Sequence, residues 1–168
     1  MFHKIWVARE REAMNKATSL HDLAEIAIRA LQFIHQTCDG EIVQICGPMS
    51  TGGLGNLKNN MDRFDFAVMK AEEMGVIVFN QAHFQDAMIR VIRFKEGQPY
   101  CVDLLEVFYR RVFESGFISR TLFLPDWSTS VGAIWEREVA QSLGIAVEEY
   151  PLHWLKDFVI VNKKGGEQ

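Results

Sequence analysis

Residues 42–55 read IVQICGPMSTGGLG, a short run of β-favouring residues that opens into a glycine-rich segment. The run predicts a strand over Ile42–Cys46 and a loop over Gly47–Gly55. An apolar face then recurs at helical spacing, at Leu57, Met61, Phe64, Val68 and Ala71, before Gly75 stops the helix. The order of strand, glycine-rich loop and helix is typical of an α/β protein.

The same alternation continues along the chain. Further strands are predicted at Val76–Phe79, Ile118–Leu124 and Ile145–Val147, and further helices at Tyr100–Glu114 and Ser130–Leu143. Residues 80–98 carry only a helical hint and predict no clear element. Strands that alternate with helices imply right-handed crossovers, so the sequence predicts a three-layer α/β domain, a parallel sheet covered by helices on both faces.

Residues 1–40 are predicted to form an N-terminal helical extension. Behind candidate caps at Thr18 and Ser19, apolar residues recur at three- and four-residue spacing, at Leu20, Leu23, Ala24, Ala27, Leu31 and Ile34. The core then spans residues 41–150, and residues 162–168 are predicted to be a disordered tail. We expect one domain over residues 1–168, with the helical stripe packed on the core or used as an interface between copies.

The composition argues against several classes of protein. The chain has 168 residues, 48% of them apolar, and a formal charge of −4 from 22 acidic and 18 basic side chains. This balance is too mild to attract nucleic acid or an anionic membrane, and no apolar run approaches the ~18 residues of a membrane span. Cys38, Cys46 and Cys101 indicate neither a disulfide framework nor a metal site. We expect a cytoplasmic protein without a metal or a cofactor.

In a parallel sheet, ligands bind beyond the carboxyl ends of the strands, which is where the loop over Gly47–Gly55 lies. Its glycines expose backbone N–H groups that can surround an anion near the start of the following helix. The loop lacks the Gly-Lys-Ser/Thr of a Walker A motif and the third glycine of the dinucleotide fingerprint. A phosphate or ribose site and a simple flexible turn therefore both remain open.

The residues from the end of the third predicted strand onward read LPDWSTSVGAIWE and finish at Glu136. The next helix is predicted to begin after a cap at Ser130. Gly132 and Ala133 then share a face with Glu136, whose side chain leans over these two small residues. This predicts a small pocket that holds a carboxylate and could admit a sugar. The alternative is close packing of the helix on the sheet, with Glu136 paired to an arginine. Glu138 lies about 200° around the helix and is predicted to face solvent.

Taken together, the two segments resemble a known family. Cys46-Gly-Pro-Met-Ser50, Leu124-Pro-Asp-Trp127 and Ser130-x-Gly-Ala-x-x-Glu136 carry the likeness, each placed after a predicted strand. They are similar to the nucleoside 2-deoxyribosyltransferase superfamily, in particular to small relatives with the patterns GPM, LPGW and SxGAxxE. The resemblance covers Ile42–Val147. It implies a flavodoxin-like, Rossmann-like sheet and attack at C1′ of a nucleoside or nucleoside 5′-monophosphate, with cleavage of the N-glycosidic bond.

The resemblance also implies roles for individual residues. Glu136 stands where the family has its nucleophile, a carboxylate that can form a glycosyl-enzyme intermediate. Ser130 matches a residue that helps to hold sugar or phosphate. The predicted substrate-binding residues of the two loops are Gly47, Pro48, Met49, Ser50, Gly52, Gly53, Trp127, Ser130 and Gly132.

Three further residues are candidates for the site. Asp126 could act as the acid toward the leaving base, with a solvated loop aspartate as the alternative. Asn80 and His83 follow the second predicted strand and are candidates for contacting the base. Trp127 could stack on the base or pack as an ordinary aromatic residue.

Three positions depart from the family pattern. Gln44 stands where the family commonly has a tyrosine that orients the nucleophile, Ser119 where it often has an aspartate, and Asp126 where the turn has a glycine. The first two departures favour a rival hypothesis, a nucleotide-binding or sensor protein with little or no catalysis.

A third hypothesis is a lysine-decarboxylase-like phosphoribohydrolase. Its motif PGG-x-GT-x-x-E is similar in layout to Pro125–Glu136, but this chain lacks the paired glycines. Under each hypothesis the expected partner is a small nucleoside or nucleotide. The resemblance also implies a homo-oligomer, since active sites of the family are often completed by a neighbouring subunit.

Overall fold

A computed structural model describes residues 2–92 and 102–159 of the chain. Within them, four strands form one sheet: β1 (Ile42–Cys46), β2 (Ile77–Phe79), β3 (Ile118–Phe123) and β4 (Ala146–Glu149). The strand order is β2-β1-β3-β4, and all three pairings are parallel. This is the order in which flavodoxin-like sheets begin. The predicted α/β class with a Rossmann-like parallel sheet is confirmed.

Helices connect and cover the strands. The α-helices are α1 (Phe2–Lys16), α2 (Leu20–Thr37), α3 (Leu57–Glu73), α4 (Gln85–Val91), α5 (Arg110–Glu114) and α6 (Val131–Ser142). A π-helix over Leu104–Tyr109 runs directly into α5, and short 3₁₀ turns lie at Gln81–Phe84, Trp127–Thr129 and Leu152–Leu155. None of the described helices is long and apolar enough to cross a membrane.

The central strand β1 is buried on both sides, which separates the structure into layers. Ile42 and Cys46 belong to a core cluster with residues of α1, α2 and α6, whereas Val43 and Ile45 pack with residues of α3. Because successive side chains of a strand point to opposite faces, this split shows helices on both faces of the sheet. Gln44 therefore faces the same side as α6.

The N-terminal extension contains two helices, whereas the sequence predicted one. The second of these helices, α2, begins after Ser19. The hydroxyl of Ser19 caps the helix in a reciprocal capping box with Asp22. In α1, Trp6 is fully buried and stacks on Phe79 and Phe84 at ring distances of 5.8 and 5.7 Å. The sequence did not predict α1 as a separate helix, because the charged residues between its apolar residues weaken the helical periodicity.

The apolar stripe of α2 is buried within the chain itself. Leu23, Ala24, Ala27 and Leu31 are all fully inaccessible, and they lie in the core cluster that covers one face of the sheet. The stripe therefore packs on the core of the same chain, as the first of its two predictions had it, and is not free to form an interface between copies. Assembly into a homo-oligomer stays a prediction that does not involve this stripe.

The element boundaries differ from the predicted ones in small ways. β3 ends one residue earlier than predicted, β4 begins one residue later and ends two residues later, and the unassigned stretch after β2 holds a 3₁₀ turn and α4. The predicted helix over Tyr100–Glu114 contains a π-helical stretch at Leu104–Tyr109, which 3.6-residue periodicity does not distinguish from an α-helix. The predicted tail over 162–168, Cys101 and the first residues of that helix lie outside the described residues.

Candidate functional site

The loops that follow β1 and β3 meet at the carboxyl edge of the sheet. The chain leaves β1 toward α3 on one face and leaves β3 toward α6 on the other, so this edge is a topological switch point. A Cβ on Gly47 would lie 2.8 Å from that of Leu124, and a Cβ on Gly52 would lie 2.3 Å from the carbonyl oxygen of Thr129. Glycine is needed at both positions because the two loops are in direct contact.

A cavity of about 260 Å³ opens beside these loops. Its polar wall consists of Ser50, Thr51, Gln81, Gln85, Ser130 and Glu136. Its apolar wall consists of Met49, Met88, Ile89, Ile92, Leu104 and Leu105, joined by Tyr109. Gly47, Gly132 and Ala133 complete the described lining with almost no side chain. An apolar cavity with a few converging polar groups is typical of a small-molecule site.

The start of α6 brings Glu136 into this cavity. Ser130 is the N-cap, as predicted, and its hydroxyl accepts a hydrogen bond of 3.3 Å from the backbone N–H of Ala133. Glu136 lies one turn further on, is only 6% exposed, and lines the cavity together with Gly132 and Ala133. Glu138 faces solvent, as helical geometry predicted.

Two neutral side chains of β1 contact the Glu136 carboxyl group. The amide nitrogen of Gln44 donates to Glu136 Oε1 at 3.3 Å, and the thiol of Cys46 also donates to it. Within residues 2–92 and 102–159 no Lys, Arg or His forms an ion pair with Glu136. The neighbouring Arg137 binds Glu149 instead, at 2.8 Å. The alternative prediction, a Glu136 neutralised by arginine, is therefore wrong for the described part of the chain.

The electrostatics of Glu136 are dominated by burial. Loss of hydration raises its pKa to about 8, although the hydrogen bonds from Cys46 and Gln44 favour the charged form and oppose the shift. Burial also raises the pKa of Cys46 well above its ordinary value, and the Glu136 charge adds to this effect. The thiol is therefore protonated and acts as a hydrogen-bond donor, while the carboxyl group can exchange a proton near neutral pH.

Gln44 occupies the position where the resemblance has a tyrosine. Sequence reasoning treated it as the loss of an orienting group. The side chain is fully buried and its amide nitrogen reaches Glu136, so an orienting hydrogen-bond donor is present in this chain too.

The structure brings part of the predicted site together. Residues of both loops and of α6 line the cavity as one group, namely Gly47, Met49, Ser50, Ser130, Gly132 and Glu136. Pro48, Gly52 and Gly53 do not belong to the described lining. The N–H of Gly53 donates to Thr129 Oγ1 at 2.7 Å, so this part of the loop serves contact between the two loops.

Three other predicted residues also lie outside the cavity lining. Asn80 caps the 3₁₀ turn after β2, where its side-chain oxygen accepts from the N–H of Ala82 at 3.0 Å. His83 packs edge-on against Trp6, with ring centroids 5.5 Å apart. The guanidinium carbon of Arg137 lies 4.3 Å from the centre of the Trp127 ring. Trp127 therefore packs as an ordinary aromatic residue, which was the alternative prediction for it.

Asp126 lies in the turn after β3, away from the cavity. It has a φ of 63°, the left-handed conformation that favours glycine, and this explains why a glycine suits the position in the resembled pattern. Its carboxylate is 54% exposed and pairs with Arg63 at 3.5 Å. The structure therefore agrees with the alternative prediction for Asp126, a solvated aspartate in a loop, and does not place it as an acid beside the cavity.

We expect Asp126→Gly to melt higher than Asp126→Ala. Both variants lose the ion pair with the buried Arg63 to the same extent, but alanine in a left-handed conformation costs ~1–2 kcal/mol that glycine avoids. The difference corresponds to a few degrees in Tm, measured by thermal unfolding. Equal or inverted melting temperatures would argue against the left-handed turn.

Sequence reasoning missed much of the cavity wall. Most of the apolar part comes from α4, whose residues carried only a helical hint, and from the π-helix, whose residues were predicted to be helical but were not predicted to line a site. Gln81 is different, because it lies two residues after β2, next to Asn80, and satisfies the criterion that selected Asn80, a polar residue just beyond the end of a strand.

Fold and site together define a Rossmann-like α/β protein with a cavity at the switch point of its sheet. The chain belongs to the family described as "Domain of unknown function (DUF4406)", whose match covers residues 42–149. This range runs from the first residue of β1 to the last residue of β4, and it leaves out α1 and α2. No curated protein and no solved structure matches the chain.

Proposed function

We propose that this protein cleaves the N-glycosidic bond of a nucleoside, with Glu136 as the nucleophile. The observation that carries the proposal is the buried carboxyl group of Glu136, which lines a cavity at the switch point and has no ion-pair partner among the described residues. A carboxylate held in this way is available to a bound sugar. The motifs shared with nucleoside 2-deoxyribosyltransferases support the same reaction.

In the proposed reaction a carboxylate oxygen of Glu136 attacks C1′ of the sugar. The bond between C1′ and the base nitrogen breaks, its electron pair stays on the base, and an ester forms between the sugar and Glu136. Water, or a second base in a transfer reaction, then attacks C1′ and releases the carboxylate. Because Glu136 is the one carboxyl group in the described lining, the departing base takes its proton from water.

The lining of the cavity favours an uncharged substrate over a nucleotide. Glu136 is the one carboxyl group in its described lining, and in the charged form that attacks C1′ it would repel a phosphate. The N–H groups at the end of the glycine-rich loop are already used, by Thr129, Asn60 and the carbonyl of Gly52. We therefore favour nucleosides over nucleoside 5′-monophosphates. The phosphoribohydrolase hypothesis has less support for the same reason.

A second candidate function is a nucleoside-binding or sensor protein without turnover. Two observations favour it. The raised pKa of Glu136 keeps most of the carboxyl group protonated at neutral pH, and the described lining holds no second carboxyl group to protonate the base.

Base release from a panel of substrates tests the proposed function. Purified protein is incubated with deoxynucleosides, ribonucleosides and their 5′-monophosphates, and free base is measured by chromatography. We expect release from at least one nucleoside, and release from its 5′-monophosphate at least ~10-fold slower because of charge repulsion. Binding without release would support the sensor. Faster release from monophosphates would contradict the charge argument.

A further inference from the structure

Gln81 is a buried polar residue of the cavity that no proposed step uses. It begins the 3₁₀ turn after β2, is 2% exposed, and lines the cavity that contains Glu136. Its amide nitrogen donates a hydrogen bond of 2.6 Å to the backbone carbonyl of Ile45.

This hydrogen bond determines which way the amide faces. The Ile45 carbonyl can only accept, so the group next to it must be the NH₂ of Gln81. The opposite arrangement would bring two carbonyl oxygens together. The side-chain oxygen Oε1 is consequently turned away from Ile45. It is buried and has no hydrogen-bond partner among the residues that the structure describes.

A buried carbonyl oxygen without a partner is costly, and in most proteins such an oxygen accepts a hydrogen bond from another group. Gln44 Oε1 is also without a partner in the described part of the chain, but Gln44 does not belong to the cavity lining. Gln81 therefore combines a fixed orientation and an unused acceptor with a position in the wall of the cavity.

We propose that Gln81 Oε1 accepts a hydrogen bond from an O–H or N–H donor of the nucleoside that occupies the cavity. Gln81 is then a specificity residue, because the bond to Ile45 fixes the amide so that Oε1 is the acceptor turned away from Ile45. The inference rests on the proposed function in one respect, the nucleoside nature of the ligand. The donor is either a sugar hydroxyl or an amino group of the base, and an analogue that lacks it leaves Oε1 unpaired again.

The test is a binding measurement by titration calorimetry in a Glu136→Gln background, so that no ligand is consumed. The probes are 2′-deoxyadenosine and its analogues without the 3′-hydroxyl, the 5′-hydroxyl or the 6-amino group. With Gln81 present, we expect one analogue to bind at least ~10-fold more weakly than the parent. In the Gln81→Met variant, which has a similar volume and no acceptor, that difference should shrink to within about twofold.

The pattern of loss separates this role from a structural one. Damage to the cavity weakens the parent and all analogues together, whereas loss of an acceptor removes the preference for one of them. One analogue is expected to bind more weakly than the parent to the Gln81 protein but about as well as the parent to the variant. The group missing from that analogue shows whether the donor belongs to the sugar or to the base. If Gln81→Met does not fold, Gln81→Asn replaces it, because a shorter amide cannot reach Ile45 and the ligand at once.

Three results would overturn the inference. A preference that persists unchanged in the Gln81 variant would refute the role of Gln81 while leaving the proposed function intact, and so would equal binding of parent and analogues by the Gln81 protein. No binding of any nucleoside, together with no base release by the wild-type protein, would refute the proposed function and this inference with it.

Discussion

Replacing Glu136 with glutamine is expected to lower base release from nucleosides by at least ~1000-fold. Glutamine has nearly the same shape, but its amide cannot form the glycosyl ester on which the proposed reaction depends. The measurement is the initial rate of base release by the purified variant and the wild-type protein on the best substrate of the panel.

Glu138→Gln is the matched control for this variant. It makes the same chemical change on the same helix, but at an exposed position outside the cavity lining. We expect its rate to stay within about twofold of wild type, since surface changes of this kind have small effects. Substantial base release by Glu136→Gln would show that another group attacks the sugar.

Glu136→Gln should also be more stable than the wild-type protein at alkaline pH. The pKa of Glu136 is about 8 in the folded protein and near 4.5 in the unfolded chain, so between these values the folded state holds a proton that the unfolded state lacks. Its contribution to stability is present below pH ~4.5 and is lost as the pH rises through 8. The Tm advantage of Glu136→Gln should be small at pH 5 and reach roughly 5 °C or more at pH 9. A difference that does not vary with pH would contradict the raised pKa.

The second large effect is on the pH dependence of catalysis. With a pKa of about 8, about one Glu136 in ten carries a charge at pH 7, and only the charged form attacks C1′. We expect kcat/KM for base release to rise about tenfold per pH unit between pH 6 and 7 and to level off above pH 8, because this ratio reports the free enzyme. The measurement is the rate at low substrate concentration over pH 5.5–9.5.

Gln44→Met tests the origin of this profile. The variant removes a hydrogen-bond donor that favours the charged carboxylate, so the pKa of Glu136 should rise and the profile should move to higher pH. Cys46→Ala removes the second donor and should shift the profile in the same direction. A profile that does not move in either variant, or one that is flat above pH 6, would argue against Glu136 as the titrating nucleophile.

Much of the fold was predictable because the signals that define it are local. Buried runs such as Ile42–Cys46 mark interior strands, and they alternate with helical spacing, which leaves a parallel sheet as the simplest arrangement. The cap at Ser130 and the shared face of Gly132, Ala133 and Glu136 follow from helical geometry over a single turn. These expectations concern residues close in sequence, and the structure confirms them.

The surroundings of Glu136 were not predictable in the same way. Gln44 meets Glu136 across 92 positions of sequence, and this contact depends on which face of β1 carries Gln44 and on where α6 crosses the sheet. The apolar wall depends on α4 and on a π-helical turn. Such pairings are set by strand register and by the packing of layers, whereas local spacing determines only which face of an element is apolar.

The amino-acid sequence by itself therefore determined the class of fold, the order of its elements and the helical face on which Glu136 lies. Only the tertiary structure decided that, among the residues it describes, this carboxyl group has neutral hydrogen-bond donors and no arginine partner, and that Gln81, not Asn80, lines the cavity with it. The reason is physical: secondary structure follows from neighbours along the chain, whereas burial, pKa and hydrogen-bond partners follow from neighbours in space.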